Sequence, residues 1–147
     1  MSAKTVLITG CSRGGIGAAL AMSFRAKGFH VFATVRDMAK AGPLVDIEGI
    51  EILELELTSE ESIGICAKAV EKHTGGVLDV LINNAGVDYC RPLLDTPIDD
   101  AKKIYDVNVW ALLAMSQAFT PMLIKSKGVI CNISSIAGKF TFAWGGK

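Results

Sequence analysis

The chain has 147 residues, enough for one domain with a core; half of them are apolar, and 15 basic and 15 acidic side chains cancel to zero formal charge. That balance excludes the basic footprint of a nucleic-acid binder. No uninterrupted apolar run reaches the roughly 20 residues of a membrane span, because the longest candidate, 111–124, is broken by Ser116, Gln117, Thr120 and Pro121.

The N-terminus passes from Lys4 directly into Thr5-Val6-Leu7-Ile8, with no signal-peptide pattern, so a cytoplasmic protein is expected. That apolar run predicts a first strand over 5–9. It leads at once into Gly10-Cys11-Ser12-Arg13-Gly14-Gly15-Ile16-Gly17. Strand, glycine-rich turn and helix in that order form a seat for a dinucleotide pyrophosphate. Glycine lets the backbone turn sharply and approach phosphate oxygens. The helix start behind it offers unpaired N–H groups and about half a positive charge.

Ile16, Leu20 and Phe24 recur every four residues and predict a helix with one buried stripe, ended by Gly28. Residues 30–35 read as a second strand. The weaker stretch 38–49 predicts a short helix broken at Gly42-Pro43. Residues 50–57 form a third predicted strand. Thr58 then caps a helix, with Glu61 completing a capping box, that runs to about His73 and stops at Gly75-Gly76. A fourth strand over 77–82 enters Asn83-Asn84-Ala85-Gly86. Thr96-Pro97 opens a helix with Asp99 and Asp100 in its first turn. A long helix is expected over 103–125, with Pro121 as a kink point, and a fifth strand over 128–134.

Alternating strands and helices predict an α/β protein. The architecture expected is a Rossmann-type doubly wound parallel sheet in the order 3-2-1-4-5. No repeat, low-complexity tract or linker divides the chain, so 1–147 reads as one dinucleotide-binding domain. Cys11, Cys66, Cys90 and Cys131 show no CxxC pair and are expected as buried free thiols. His30 and His73 are far apart in sequence and read as packed or solvated side chains, so no metal site is expected.

Charge argues for the cofactor. An NAD site carries an acidic residue at the end of the second strand, where it binds the ribose hydroxyls. Here Val35 holds that position and Arg36 follows it, offering a planar fork to the 2′-phosphate of NADP. Arg13 is a second candidate cation, while Asp37 could bind a ribose hydroxyl and blunt the preference. One or two charge-assisted hydrogen bonds of about 1.5–3 kcal/mol each favour NADPH over NADH by about ten- to a thousandfold. The competing reading leaves both arginines as solvated surface charges.

Four stretches resemble the classical short-chain dehydrogenase/reductases in order and rough spacing. They are Thr9-Gly10 with Gly15-Ile16-Gly17, Asn83-Asn84-Ala85-Gly86, Asn108 within Asp106-Val107-Asn108-Val109, and Asn132-Ile133-Ser134-Ser135. The turn between Gly10 and Gly15 is one residue longer than the family pattern. The resemblance implies that Thr9, Gly10, Ser12, Arg13, Gly15, Ile16 and Gly17 form the phosphate turn. Glu56, where relatives carry Asp, and the Leu57 amide would lie by the adenine; alternatively Glu56 is a solvent-facing strand residue. Asn83 would approach the adenosine ribose, with Ala85 and Gly86 letting the cofactor pass close to the backbone. Asn84 would brace the sheet. Ser135 would donate to a substrate carbonyl oxygen, and Asn108 would hold a water leading to a catalytic lysine. A strand-end serine and a helix-kink asparagine are the structural alternatives.

The activity implied is NADPH-dependent carbonyl reduction or alcohol oxidation on a small molecule. In the family a tyrosine, its phenol made more acidic by a lysine four residues on, delivers the proton. That pair begins about a dozen residues after the serine, a point just past Lys147. The chain alone is therefore expected to bind cofactor weakly and not to turn over. An open fifth strand and an apolar helix face favour association, so a homo-oligomer is an expected state. Residues 9–17, 30–37 and Pro92-Leu93-Leu94-Asp95 are most like fungal reductases. This implies a lipid-like ketone substrate and association with lipid droplets or endoplasmic reticulum. The alternatives are a non-catalytic dinucleotide- or partner-binding module, and a Rossmann methyltransferase, which leaves 83–86 and 132–135 unexplained.

Overall fold

The computed structural model describes residues 3–140. Five parallel strands, β1 (Thr5–Ile8), β2 (His30–Val35), β3 (Ile50–Glu54), β4 (Val80–Asn83) and β5 (Val129–Asn132), form one sheet in the order β3-β2-β1-β4-β5. This is the doubly wound order the sequence predicts. Its helices are α1 (Ile16–Ala26), α2 (Glu60–Thr74), α3 (Ile98–Tyr105) and α4 (Ala111–Ser126). Side-chain alternation divides the core between the sheet's two faces. Val6, Ile8, Val31 and Ala33 pack with Ala18 and Ala21 of α1. Leu7, Phe32 and Leu81 pack on the opposite face with Ile63, Cys66 and Val70 of α2 and Met115 and Phe119 of α4.

Several boundaries differ from the sequence reading, each for a local reason. α1 buries Gly17, Ala18 and Ala21 fully, and Leu20 and Phe24 of the predicted stripe pack half-buried against the same core, whereas Ile16 is 67% exposed. Small residues let α1 lie close to the sheet. α2 is capped by Ser59, whose Oγ accepts from the Ser62 N–H at 3.2 Å; Thr58 is drawn instead to the Glu56 carboxylate. At its other end Gly75 takes φ +68°, a left-handed cap. The stretch after β2 forms two short 3-10 turns, Met38–Lys40 and Gly42–Asp46, separated near the predicted break. β3 ends early, although the Leu55 N–H still donates to Val35 O at 2.9 Å. β4 starts later than predicted and β5 is shorter at both ends.

The two predicted helices after β4 are one continuous 29-residue helix, Ile98–Ser126, joined by a π-helical segment at Asp106–Trp110. By length and hydropathy this helix could cross a membrane, which the interrupted run 111–124 did not suggest. In this fold its inner residues Met115, Phe119, Met122 and Leu123 are buried against the sheet and α2. Pro121 lies within α4 and removes the bond its N–H would make to Gln117. Of the cysteines only Cys11 and Cys66 are buried; Cys90 and Cys131 are exposed, against the expectation of four buried thiols.

Candidate functional site

A cleft of about 340 Å³ opens at the carboxyl ends of β1 to β4. Its floor is the glycine turn. Gly10 has φ +73°, and a Cβ there would meet Ala85 Cα at 2.9 Å. Gly17 is equally confined, since a Cβ would sit 2.6 Å from Asn84 Nδ2. Asn84 Nδ2 donates to Thr9 O at 2.8 Å and Gly10 O at 3.2 Å. Thr9 Oγ1 accepts from the Asn84 and Ala85 N–H groups, both at 3.0 Å. The ends of β1 and β4 are therefore locked together directly beneath the turn. Thr9 is 2% exposed and serves this lock rather than the cleft surface.

Eight of the residues expected to bind the cofactor line the cleft, Gly10, Ser12, Ile16, Arg36, Glu56, Leu57, Ala85 and Gly86, and so does Asn84, expected as a sheet brace. Arg36 is exposed at the end of β2, beyond the buried Val35. Glu56 Oε1 accepts from the Thr58 N–H at 3.1 Å and from Thr58 Oγ1 at 2.9 Å. The Thr58 amide chiefly, helped by the Thr58 hydroxyl and the charge of Arg36, holds the Glu56 carboxyl below its ordinary pKa. Its carboxylate is thus partly used in its own turn.

The other predicted residues lie elsewhere. The Arg13 N–H donates to Lys40 O at 2.7 Å, and its side chain packs over Gly42, away from the cleft lining. Gly15 forms the start of α1, donating to Ser12 O at 3.0 Å. Asn83 turns away from the cleft: Nδ2 donates to Asn132 Oδ1 at 2.9 Å, tying β4 to β5, while buried Oδ1 has no partner among the described residues. Asn108 sits in the π-helical segment and clasps Val87, accepting from its N–H and donating to its O, both at 2.9 Å. Ser135 follows β5, exposed, with Oγ accepting from the Ala137 N–H at 3.1 Å.

The residues present fit a dinucleotide. The Cβ-intolerant turn brings backbone close to the cleft, and Gly15, the N-cap of α1, supplies no side-chain cap. The Cys11, Arg13 and Gly15 amides are bonded internally, while those of Ile16 and Gly17 have no partner among the described residues. These first-turn amides can face an anion. Sequence reading missed Thr34, Leu55, Val87 and Val107 in the lining, which also holds Val35 at the end of the second strand. Thr34, Val35 and Leu55 lie at the carboxyl ends of neighbouring strands, where open α/β sheets bind ligands. Val107 follows from the π segment, whose wide turn the sequence does not announce.

A second cluster lies at the other end of the sheet. His30, Glu51 and His73 bring their ligand atoms within 4.8 Å of one another, although they are distant in sequence. Burial chiefly, assisted by His73 and opposed by Glu51, lowers the His30 pKa from its ordinary value. Of the packed and solvated readings the packed one describes both rings, which stack on each other beside Phe32, a proximity their separation in sequence does not suggest.

A five-stranded doubly wound sheet with a glycine turn at β1 and a cleft at its carboxyl edge defines a Rossmann-type α/β protein. The family model described as short chain dehydrogenase matches residues 4–146, and the chain belongs to that family. The resemblance read from the four motifs is borne out. The chain is 65% identical over 143 residues to short-chain dehydrogenase cctT of Talaromyces islandicus, covering 97% of this chain and 50% of that protein. It is 43% identical over 141 residues to the NADPH-dependent 1-acyldihydroxyacetone phosphate reductase of Schizosaccharomyces pombe, covering 96% and 47%. The structure of an NADPH-bound carbonyl reductase from chicken fatty liver matches with a TM-score of 0.85 at 34% identity, covering 94% of this chain and 62% of that one. The chain spans about half the length of the curated relatives it matches.

Proposed function

We propose that this chain forms the cofactor-binding portion of an NADPH-dependent oxidoreductase that interconverts a carbonyl compound and an alcohol. The observation that carries the reading is Arg36, a cation on the cleft wall directly after Val35, which ends β2 where an NAD site would carry an acid. NADPH, when bound, would supply hydride for the carbonyl carbon, and the proton for the oxygen would come from the tyrosine that the family resemblance implies, which is not among residues 1–147. The Gly10 turn and the α1 amides of Ile16 and Gly17 take the pyrophosphate. Arg36 takes the 2′-phosphate through its planar fork. Glu56 and Leu57 border the adenine end, and Ala85 and Gly86 leave room for the cofactor. Ser135 donates a hydrogen bond to the carbonyl oxygen. Asn108, through Val87, fixes the loop that follows β4. The activity of the fission-yeast relative, with the likeness at 9–17, 30–37 and 92–95, supports a lipid-like ketone substrate.

Fluorescence titration of the chain with NADPH and NADH tests this reading. NADPH is expected to bind about ten- to a thousandfold more tightly, and Arg36→Ala to remove most of that gap. Equal affinities in the parent chain would overturn it.

A further inference from the structure

Two imidazoles and a carboxylate that no step above uses meet at the amino-terminal end of the sheet. His30 opens β2, and Phe32 pairs in register with Glu51 of β3. Alternation therefore puts His30, Phe32 and Glu51 on one face. α2 covers that face, and its buried stripe of Ile63, Cys66 and Val70 continues at helical spacing to His73. The juxtaposition is written in two periodicities, one of the strands and one of the helix. It lies five residues along β2 from Val35, roughly 16 Å from the cleft wall.

We infer that His30, Glu51 and His73 form a binding site for a transition-metal dication of the Zn²⁺ type. Two nitrogens and one carboxylate oxygen suit such an ion, which leaves a position for water; Ca²⁺ and Mg²⁺ prefer oxygen throughout. Glu51 Oε2 lies 3.1 Å from His73 Nδ1 and 3.6 Å from His30 Nε2. Ligand atoms about 2.0–2.1 Å from a tetrahedral metal sit roughly 3.3 Å apart, so both Glu51 contacts already straddle the required spacing. His30 Nε2 is buried and has no hydrogen-bond partner among the described residues. A buried nitrogen of this kind is a donor atom held ready.

One adjustment is required. The two rings stack with centroids 4.2 Å apart and planes 24° from parallel, and a single ion cannot lie in both planes. His73 makes the adjustment by rotating its ring, for it stands in the last turn of α2 with a side chain 44% exposed. The bound ion would tie α2 to β2 and β3, adding to the stability of the folded chain without entering the redox chemistry.

Calorimetric titration of the chain with Zn²⁺, and absorption titration with Co²⁺, test the inference, with circular dichroism checking the fold of each variant. One ion per chain, a tetrahedral Co²⁺ spectrum without thiolate charge transfer, and a melting temperature raised by Zn²⁺ are expected. His73→Ala and Glu51→Gln should each weaken binding at least about tenfold, the scale seen when even an outer-shell partner is lost. Joint Cys90→Ser and Cys131→Ser substitution should leave it unchanged. No binding by a natively folded chain would overturn the inference. So would binding that both single substitutions leave intact, or binding that disappears with the two cysteines.

Discussion

Gly17 has no side chain because there is no room for one: a Cβ would meet Asn84 Nδ2 at 2.6 Å, and Asn84 is already held by Thr9 O and Gly10 O. Those neighbours are backbone or bonded to backbone, so they cannot yield cheaply. Gly17→Ala should cost about 1–3 kcal/mol, the scale of overpacking, and lower the urea midpoint of unfolding. An unchanged midpoint would show that the lock between β1 and β4 is looser than these distances imply. Glu56 supplies a subtler test. Its carboxylate is favoured in the folded state by the Thr58 amide, so its pKa lies below the ordinary 4.5. Such a group adds stability above its unfolded pKa and loses it as pH falls through the folded value. Glu56 is largely exposed, so Glu56→Gln should cost only a few tenths of a kcal/mol at neutral pH. In melts taken at successively lower pH, the difference between the two chains should shrink to nothing on the acid side of 4.5.

α2 shows how sequence signals compete within one element. Thr58 and Ser59 are both capping residues, and both candidate boxes have a polar residue three positions on. The choice is settled by Glu56, which occupies Thr58 and leaves Ser59 to accept from Ser62. Ser59→Ala should therefore cost about 1 kcal/mol, while Gly64→Ala should have the opposite sign. Gly64 lies mid-helix, and a Cβ there would meet nothing within 4 Å, so alanine should stabilise by about 0.5–1 kcal/mol. Chemical denaturation of the two variants checks both signs. The same competition explains which boundaries were legible. Gly28 and Gly75 end helices at positive φ, as only their residue type does cheaply, and both are readable directly. The π-helical join at Asp106–Trp110 was not, because nothing in Asp106-Val107-Asn108-Val109 breaks helical periodicity; the Asn108 clasp on Val87 that accompanies the wider turn is a tertiary contact.

At the scale of the molecule, strand order and the cleft were legible because a glycine turn after β1 and alternating elements leave few topologies open. What was not legible depended on the direction in which a side chain leaves the sheet. Arg13 and Asn83 sit in the right motifs but point to Gly42 and to Asn132. The same sheet separates two cores, each with one buried cysteine: Cys11 on the α1 face and Cys66 on the α2 and α4 face. Burial pushes both thiols up to about 12, so the reactive thiolate is scarce as well as inaccessible. In the native chain an alkylating reagent should therefore modify the exposed Cys90 and Cys131 first. Because both cores share β1, β2 and β4, neither face can melt without stripping the other of its support. Cys11 and Cys66 should become reactive at one common denaturant midpoint, as expected of a cooperative domain. Peptide mapping after pulsed alkylation across a urea series measures this. Two separated midpoints would mean that the helices of one face dissociate while the sheet and the opposite face persist.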